Sequence, residues 1–96
     1  MGNIVAIIIW ERTPLLSTNI QILTNLNDLR DKYDLIEYDE INSDDEVNVY
    51  TAQVHKATAL LTNQKKIKAT LQSFLYDVEL MLDEHGIKYE TNLIKY

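Results

Sequence analysis

Apolar positions near the start of the chain run without interruption, from Ile4, Val5, Ala6, Ile7, Ile8 and Ile9 into Trp10. β-Branched side chains are stiff at χ1 and pack well on a pleated surface, and a run with no polar alternate fits a strand buried on both faces. The pattern therefore predicts a strand over 3–10. Pro14 lacks a backbone donor and pushes Thr13 toward extended geometry, so 11–16 reads as a turn. Ser17 or Thr18 can cap the helix that follows, in which Ile20, Leu23, Leu26, Leu29 and Tyr33 recur at threes and fours. Residues 35–41 read as a second strand. Strand, helix and strand in succession imply a right-handed crossover between parallel strands.

The stretch from Asp44 to His85 contains neither Gly nor Pro. It opens on Ser43-Asp44-Asp45-Glu46, which has the form of a capping box. Three columns then repeat every seven residues. One is Val47, Val54, Leu61, Lys68, Leu75 and Leu82; the next is Tyr50, Ala57, Gln64, Leu71, Val78 and His85; the third is Gln53, Leu60, Ile67, Phe74 and Met81. A continuous helix needs this phase to hold across 62–66, whereas a hairpin does not. The spacing predicts one long amphipathic helix over 44–85, the alternative being a helical hairpin turning near Asn63. Gly86 suits a left-handed helix terminus, and 87–96 reads as an edge strand. The fold class expected is α+β in one domain over 1–96: a small sheet opened by a βαβ unit (1–43), the long helix or hairpin (44–85), and a terminal strand (86–96).

Composition narrows the class. Apolar residues make up 46% and charged residues 25%, as in ordinary globular chains. With no cysteine, disulfides and thiolate metal sites are ruled out, and an unstapled domain of this size suits a cytoplasmic setting. The run over 4–10 is too short to span a bilayer and no basic segment precedes it, so neither a membrane segment nor a signal peptide is expected. Abundant Ile, Asn, Lys and Tyr, against two Arg and one Pro, fits an AT-rich genome.

The net charge of −6 argues against direct nucleic-acid binding, which needs a basic surface to release counterions. The charges are also segregated. Residues 34–46 carry seven acids and no base, 47–76 four lysines and no acid, and 77–96 five acids and two lysines.

Few residues invite chemistry. The loop Trp10-Glu11-Arg12-Thr13 follows a strand and precedes a helix, a position where α/β sheets bind ligands; Trp10 could stack and Arg12 could grip an anion. No glycine there lets the backbone approach a phosphate. The acids Glu37, Asp39, Glu40, Asp44, Asp45 and Glu46 form a candidate partner-binding face but lack the spacing of a calcium loop. His55 and His85 are too far apart to make a local metal pair. No catalytic, metal or cofactor-binding residues are assigned.

These features favour a non-enzymatic interaction module that binds another protein: a homo-oligomeric adaptor, an assembly factor or a virally encoded inhibitor. An acidic nucleic-acid mimic is one alternative, and a small-ligand binder or enzyme using the Trp10–Thr13 loop is another. Self-association is expected through an antiparallel pairing of 64–85 about Phe74. That pairing buries Ile67, Leu71, Phe74, Val78 and Met81, and sets Lys65, Lys66 and Lys68 against Glu79, Asp83 and Glu84 of the other copy.

Overall fold

The computed structural model describes residues 4–38 and 46–95. A strand that is apolar on both faces is stable only when its backbone is bonded along both edges. β1 (Ile4–Glu11) achieves this by pairing antiparallel with β3 (Val47–Val54) on one side and β4 (Tyr89–Lys95) on the other. β2 (Leu35–Glu37) adds to the far edge of β3, so the order is β2-β3-β1-β4 with every neighbour antiparallel. The helices are α1 (Leu16–Lys32), α2 (Lys56–Leu61) and α3 (Gln64–His85). β1 and β2 both oppose β3 and so run parallel to each other, as expected, but with β3 inserted between them. This α+β connectivity is the split βαβ, or ferredoxin-like, arrangement.

β3 replaces the opening of the expected long helix. Val47, Val49, Thr51 and Val54 are β-branched and Tyr50 is aromatic, which suits a strand. Residues seven apart fall on opposite faces of a strand, so Val47 and Val54 separate while Tyr50, Ala52 and Val54 share the core face, and pairing along the edge of β1 favours this alternation over the helical repeat. The helical remainder breaks where a hairpin was the alternative, but into unequal arms of 6 and 22 residues. Thr62 is extended and Asn63 caps α3, its Oδ1 accepting the Lys66 N–H at 2.9 Å. Gly86 ends α3 at φ 67°, where its N–H reaches the Asp83 carbonyl at 3.0 Å. The expected capping box at 43–46 falls largely outside the described residues, as does the distal part of the second strand, which is observed over Leu35–Glu37.

α1 also departs from expectation. It begins at Leu16, and Leu15 at its cap position offers no side-chain acceptor, so neither Ser17 nor Thr18 caps it. Asn19 instead clasps Thr13, accepting its N–H at 3.3 Å and donating to its carbonyl at 2.9 Å. The buried stripe is Ile22 and Leu26, extended by the half-buried Leu29 and Tyr33, while Ile20 and Leu23 are exposed with Leu16. The helix carries two apolar stripes. The seated one brings Tyr33 edge-on to Phe74, with centroids 6.1 Å apart at 79°.

The core lies between one face of the sheet and the pair α1 and α3. Ala6, Ile8 and Trp10 of β1 and Tyr50 and Ala52 of β3 meet Ile67, Leu71, Phe74, Leu75, Val78 and Leu82 of α3. On the opposite face Val5, Ile7 and Thr51 are buried, although no described helix packs there. β4 forms one free edge of the sheet. The Glu11 N–H bonds the Lys88 carbonyl at 2.9 Å, so by the antiparallel alternation Tyr89, Thr91, Leu93 and Lys95 turn their amides outward. The outward Leu93 N–H is bonded by the Asn92 side chain at 2.9 Å. No described helix is long and apolar enough to cross a membrane.

Phe74 is fully buried and Leu80 is exposed on the same helix. Phe74→Ala should therefore lower unfolding free energy by about 3–5 kcal/mol and Leu80→Ala by less than about 0.5 kcal/mol, read from urea denaturation.

Candidate binding groove beneath a short helix

Most charged groups singled out above are engaged inside the chain. Asp77 accepts the Tyr33 hydroxyl at 2.6 Å and the Lys32 ammonium at 3.2 Å. Glu79 accepts the Thr91 hydroxyl at 2.7 Å, and Asp83 accepts the Tyr89 hydroxyl at 2.8 Å. These bonds tie α3 to α1 on one flank and to β4 on the other. They account for acids near a helix C-terminus, where the macrodipole disfavours them. The Tyr33 bond, then that of Lys32, holds the Asp77 carboxyl below its usual range, and the same bond to Asp77 pushes the Tyr33 phenol up.

The expected pairing surface is correspondingly changed. Ile67, Leu71, Phe74 and Val78 are buried in the chain's own core, with the half-buried Met81 packed beside them. Lys65, Lys66, Lys68, Asp83 and Glu84 are exposed and Glu79 is half-buried. In the candidate acidic face, Glu37 is exposed within 4.0 Å of Arg30, and Glu46 is exposed with its carbonyl accepting the Arg12 N–H. Asp39, Glu40, Asp44 and Asp45 lie outside the described residues.

The Trp10–Thr13 loop loses the groups that suggested ligand binding. Trp10 belongs to the core and cannot stack on a solute; its Nε1 is buried with no partner among the described residues. Arg12 is held by the Asn48 Oδ1 at 3.2–3.3 Å. His55 faces Asp34 at 3.5 Å, and no cluster among the described residues could hold a metal ion.

A cavity lies elsewhere among the described residues, at the end of the sheet where β3 leaves for the helices. It has a volume of about 610 Å³, within the range of ligand pockets. Ile4, Val54, Ala59 and Ile67 form its apolar walls, Leu60 its rim, and Lys56 is its one charged lining residue. α2 closes one side and is an unusual lid. None of its residues is buried, its cap position His55 makes no side-chain cap bond, and six residues are far too few for a helix to stand alone. Leu60 and Leu61 are 86% and 88% exposed. Adjacent helical residues diverge by about 100°, so Leu60 borders the cavity while Leu61 projects beside it.

Two signals of this groove were present in the chain: adjacent leucines just before a capping Asn, and the acid-free stretch 47–76. The chain matches no protein-family model, no curated protein and no solved structure.

Two outcomes follow from this geometry. Amides of 57–61 should exchange with deuterium at least about a hundredfold faster than those of 71–82, because α2 lacks buried contacts; equal protection would show a lid locked in place. The Tyr33–Asp77 bond should add about 1 kcal/mol, a modest figure because Asp77 is partly exposed. A lowered carboxyl pKa stabilises above the unfolded value near 3.8, and that gain disappears as pH falls through the folded value. A raised phenol pKa stabilises below the unfolded value of 10.0, and that gain disappears as pH rises through the folded value. The stability difference between wild type and Tyr33→Phe should thus be greatest between about pH 5 and 9 and shrink on both sides, as urea midpoints across the range would report.

Proposed function

We propose that the chain is a protein-interaction domain that seats an apolar segment of another protein in the groove beneath α2. One observation carries this reading: two adjacent leucines, almost fully exposed, stand on a helix with no buried residue at the mouth of an apolar cavity. Burying both would contribute about 3–6 kcal/mol before the cost of ordering, enough for weak to moderate affinity from this patch alone. A partner would also supply α2 with the packing that it lacks within the chain. Among the described residues the lining contains three amides, one hydroxyl and one ammonium but no carboxylate, imidazole or thiol, a set suited to holding a segment in place.

Peptide display against the immobilised full-length protein tests the proposal. Enriched peptides should carry two or more large apolar residues. They should lose at least about tenfold in affinity for Leu60→Glu/Leu61→Glu, whose far-ultraviolet circular dichroism and melting curve should match wild type because both sites are exposed. Peptides that bind the double variant as well as wild type would place the binding surface elsewhere.

A further inference from the structure

We infer that the segment taken by the groove is acidic, with its apolar residues flanked by Asp and Glu; this rests on the groove being a docking site. The first reason is where the charge lies. The residues that line the groove, apart from Ile4, fall between Gln53 and Ile67, inside the stretch 47–76, which holds four lysines and no acid. With nine bases and 15 acids in the whole chain, the remainder has five bases against 15 acids, a charge of −10. A +4 segment has been kept around one cavity of an otherwise strongly acidic chain.

The second reason is what those lysines do. Arg30 and Lys32 form ion pairs with Asp31, Glu37 and Asp77, and Arg12 is bonded to Asn48. Lys56, Lys65, Lys66 and Lys68 have no ion-pair partner among the described residues and are exposed; Lys88 and Lys95 share that state, so what distinguishes the four is their place in the segment that lines the cavity. Lys56 lines the cavity directly. Gln64 and Ile67 line it from α3, and Lys68 follows Gln64 at i+4, one turn further along the same side of the helix. Lys68 is exposed and does not line the cavity itself; from this turn its long stem can reach the ammonium toward a segment seated there. Lys65 and Lys66 flank the same turns.

The third reason is long-range. Acidic surface elsewhere on the chain repels an acidic segment, while the lysine rim attracts it, so the field both selects and orients the partner. Exposed pairs of this kind are individually weak, and four acting together give roughly tenfold to hundredfold discrimination at low salt.

Three short synthetic peptides with one apolar core, flanked by Glu, by Gln or by Lys, test this against the full chain by fluorescence anisotropy. The Glu-flanked peptide should bind about tenfold more tightly than the Gln-flanked one and tighter still than the Lys-flanked one, with the spread narrowing at high salt. Lys56→Glu/Lys65→Glu/Lys66→Glu/Lys68→Glu should invert the order. The corresponding four Lys→Gln changes should level it, and they serve if the Glu set fails to fold. Equal binding of all three peptides, abolished by Leu60→Glu, would overturn the acidic preference and leave the groove as an apolar docking site. Binding that Leu60→Glu does not touch, or no binding at all, would overturn both readings. Decanoate that outcompetes the Glu-flanked peptide with the same lysine dependence would make the occupant a small amphipathic anion. Concentration-dependent self-association abolished by the Lys→Glu set would make it a second copy. Either result rejects a separate acidic protein as the partner.

Discussion

Everything in this molecule is arranged around the backbone of β1. Its side chains are apolar on both faces from Ile4 to Trp10, and its amides and carbonyls lie too deep to be satisfied by water. Unpaired buried backbone groups are costly, so two further segments must be strands, one along each edge. The segments recruited are 47–54 and 89–95, which lie on opposite sides of α3 in the chain. Once both are paired to β1, α3 has to cross from one end of the sheet to the other, and it does so over the face where Ala6, Ile8 and Trp10 project.

That crossing decides how the charges are used. α3 carries four acids from Asp77 onward, and three of them meet hydroxyls: Tyr33 from α1, and Thr91 and Tyr89 from β4. A carboxylate that accepts a phenol or an alcohol is held in place without the desolvation penalty of a buried ion pair. The acid-rich end of the helix is thereby stitched to its surroundings, while the lysine-rich end remains bare beside α2. The same helix is anchored at one terminus and presents free charge at the other.

How much could be read from the chain depended on whether local pattern and global pairing agreed. They agree over β1, at Gly86 and over β4, where the apolar run, the left-handed terminator and the closing strand all stand as the residues suggest. They conflict over 47–54, where Val47, Tyr50 and Val54 suit one face of a helix but fall on two faces of the strand, and pairing beside β1 outweighs the helical repeat. They conflict again on α1, whose sequence offers two apolar stripes; the choice of Ile22 and Leu26 over Ile20 and Leu23 depends on where Tyr33 finds Phe74 and Asp77. The groove was legible only in fragments. Leu60, Leu61 and the lysines are visible in the chain, but the wall supplied by Ile4 comes from more than fifty residues away, and only the folded sheet brings it to Ile67.

The Asn92 side chain on the Leu93 amide has a bearing on how the protein keeps to itself. β4 is seven residues long and straight enough to pair along all of β1, which makes its far side a template for another strand. One of the outward donors of that template, the Leu93 N–H, is already occupied by the chain's own Asn92 amide oxygen. An incoming strand must first displace a bond that costs almost nothing to re-form, since its two partners are covalent neighbours. Asn92 thus leaves this edge one fewer open donor for an incoming strand, which is a barrier to edge-on pairing. A β-branched residue in its place would leave every stabilising contact of the core intact while removing that barrier, so selection against aggregation bears on this position independently of selection for stability.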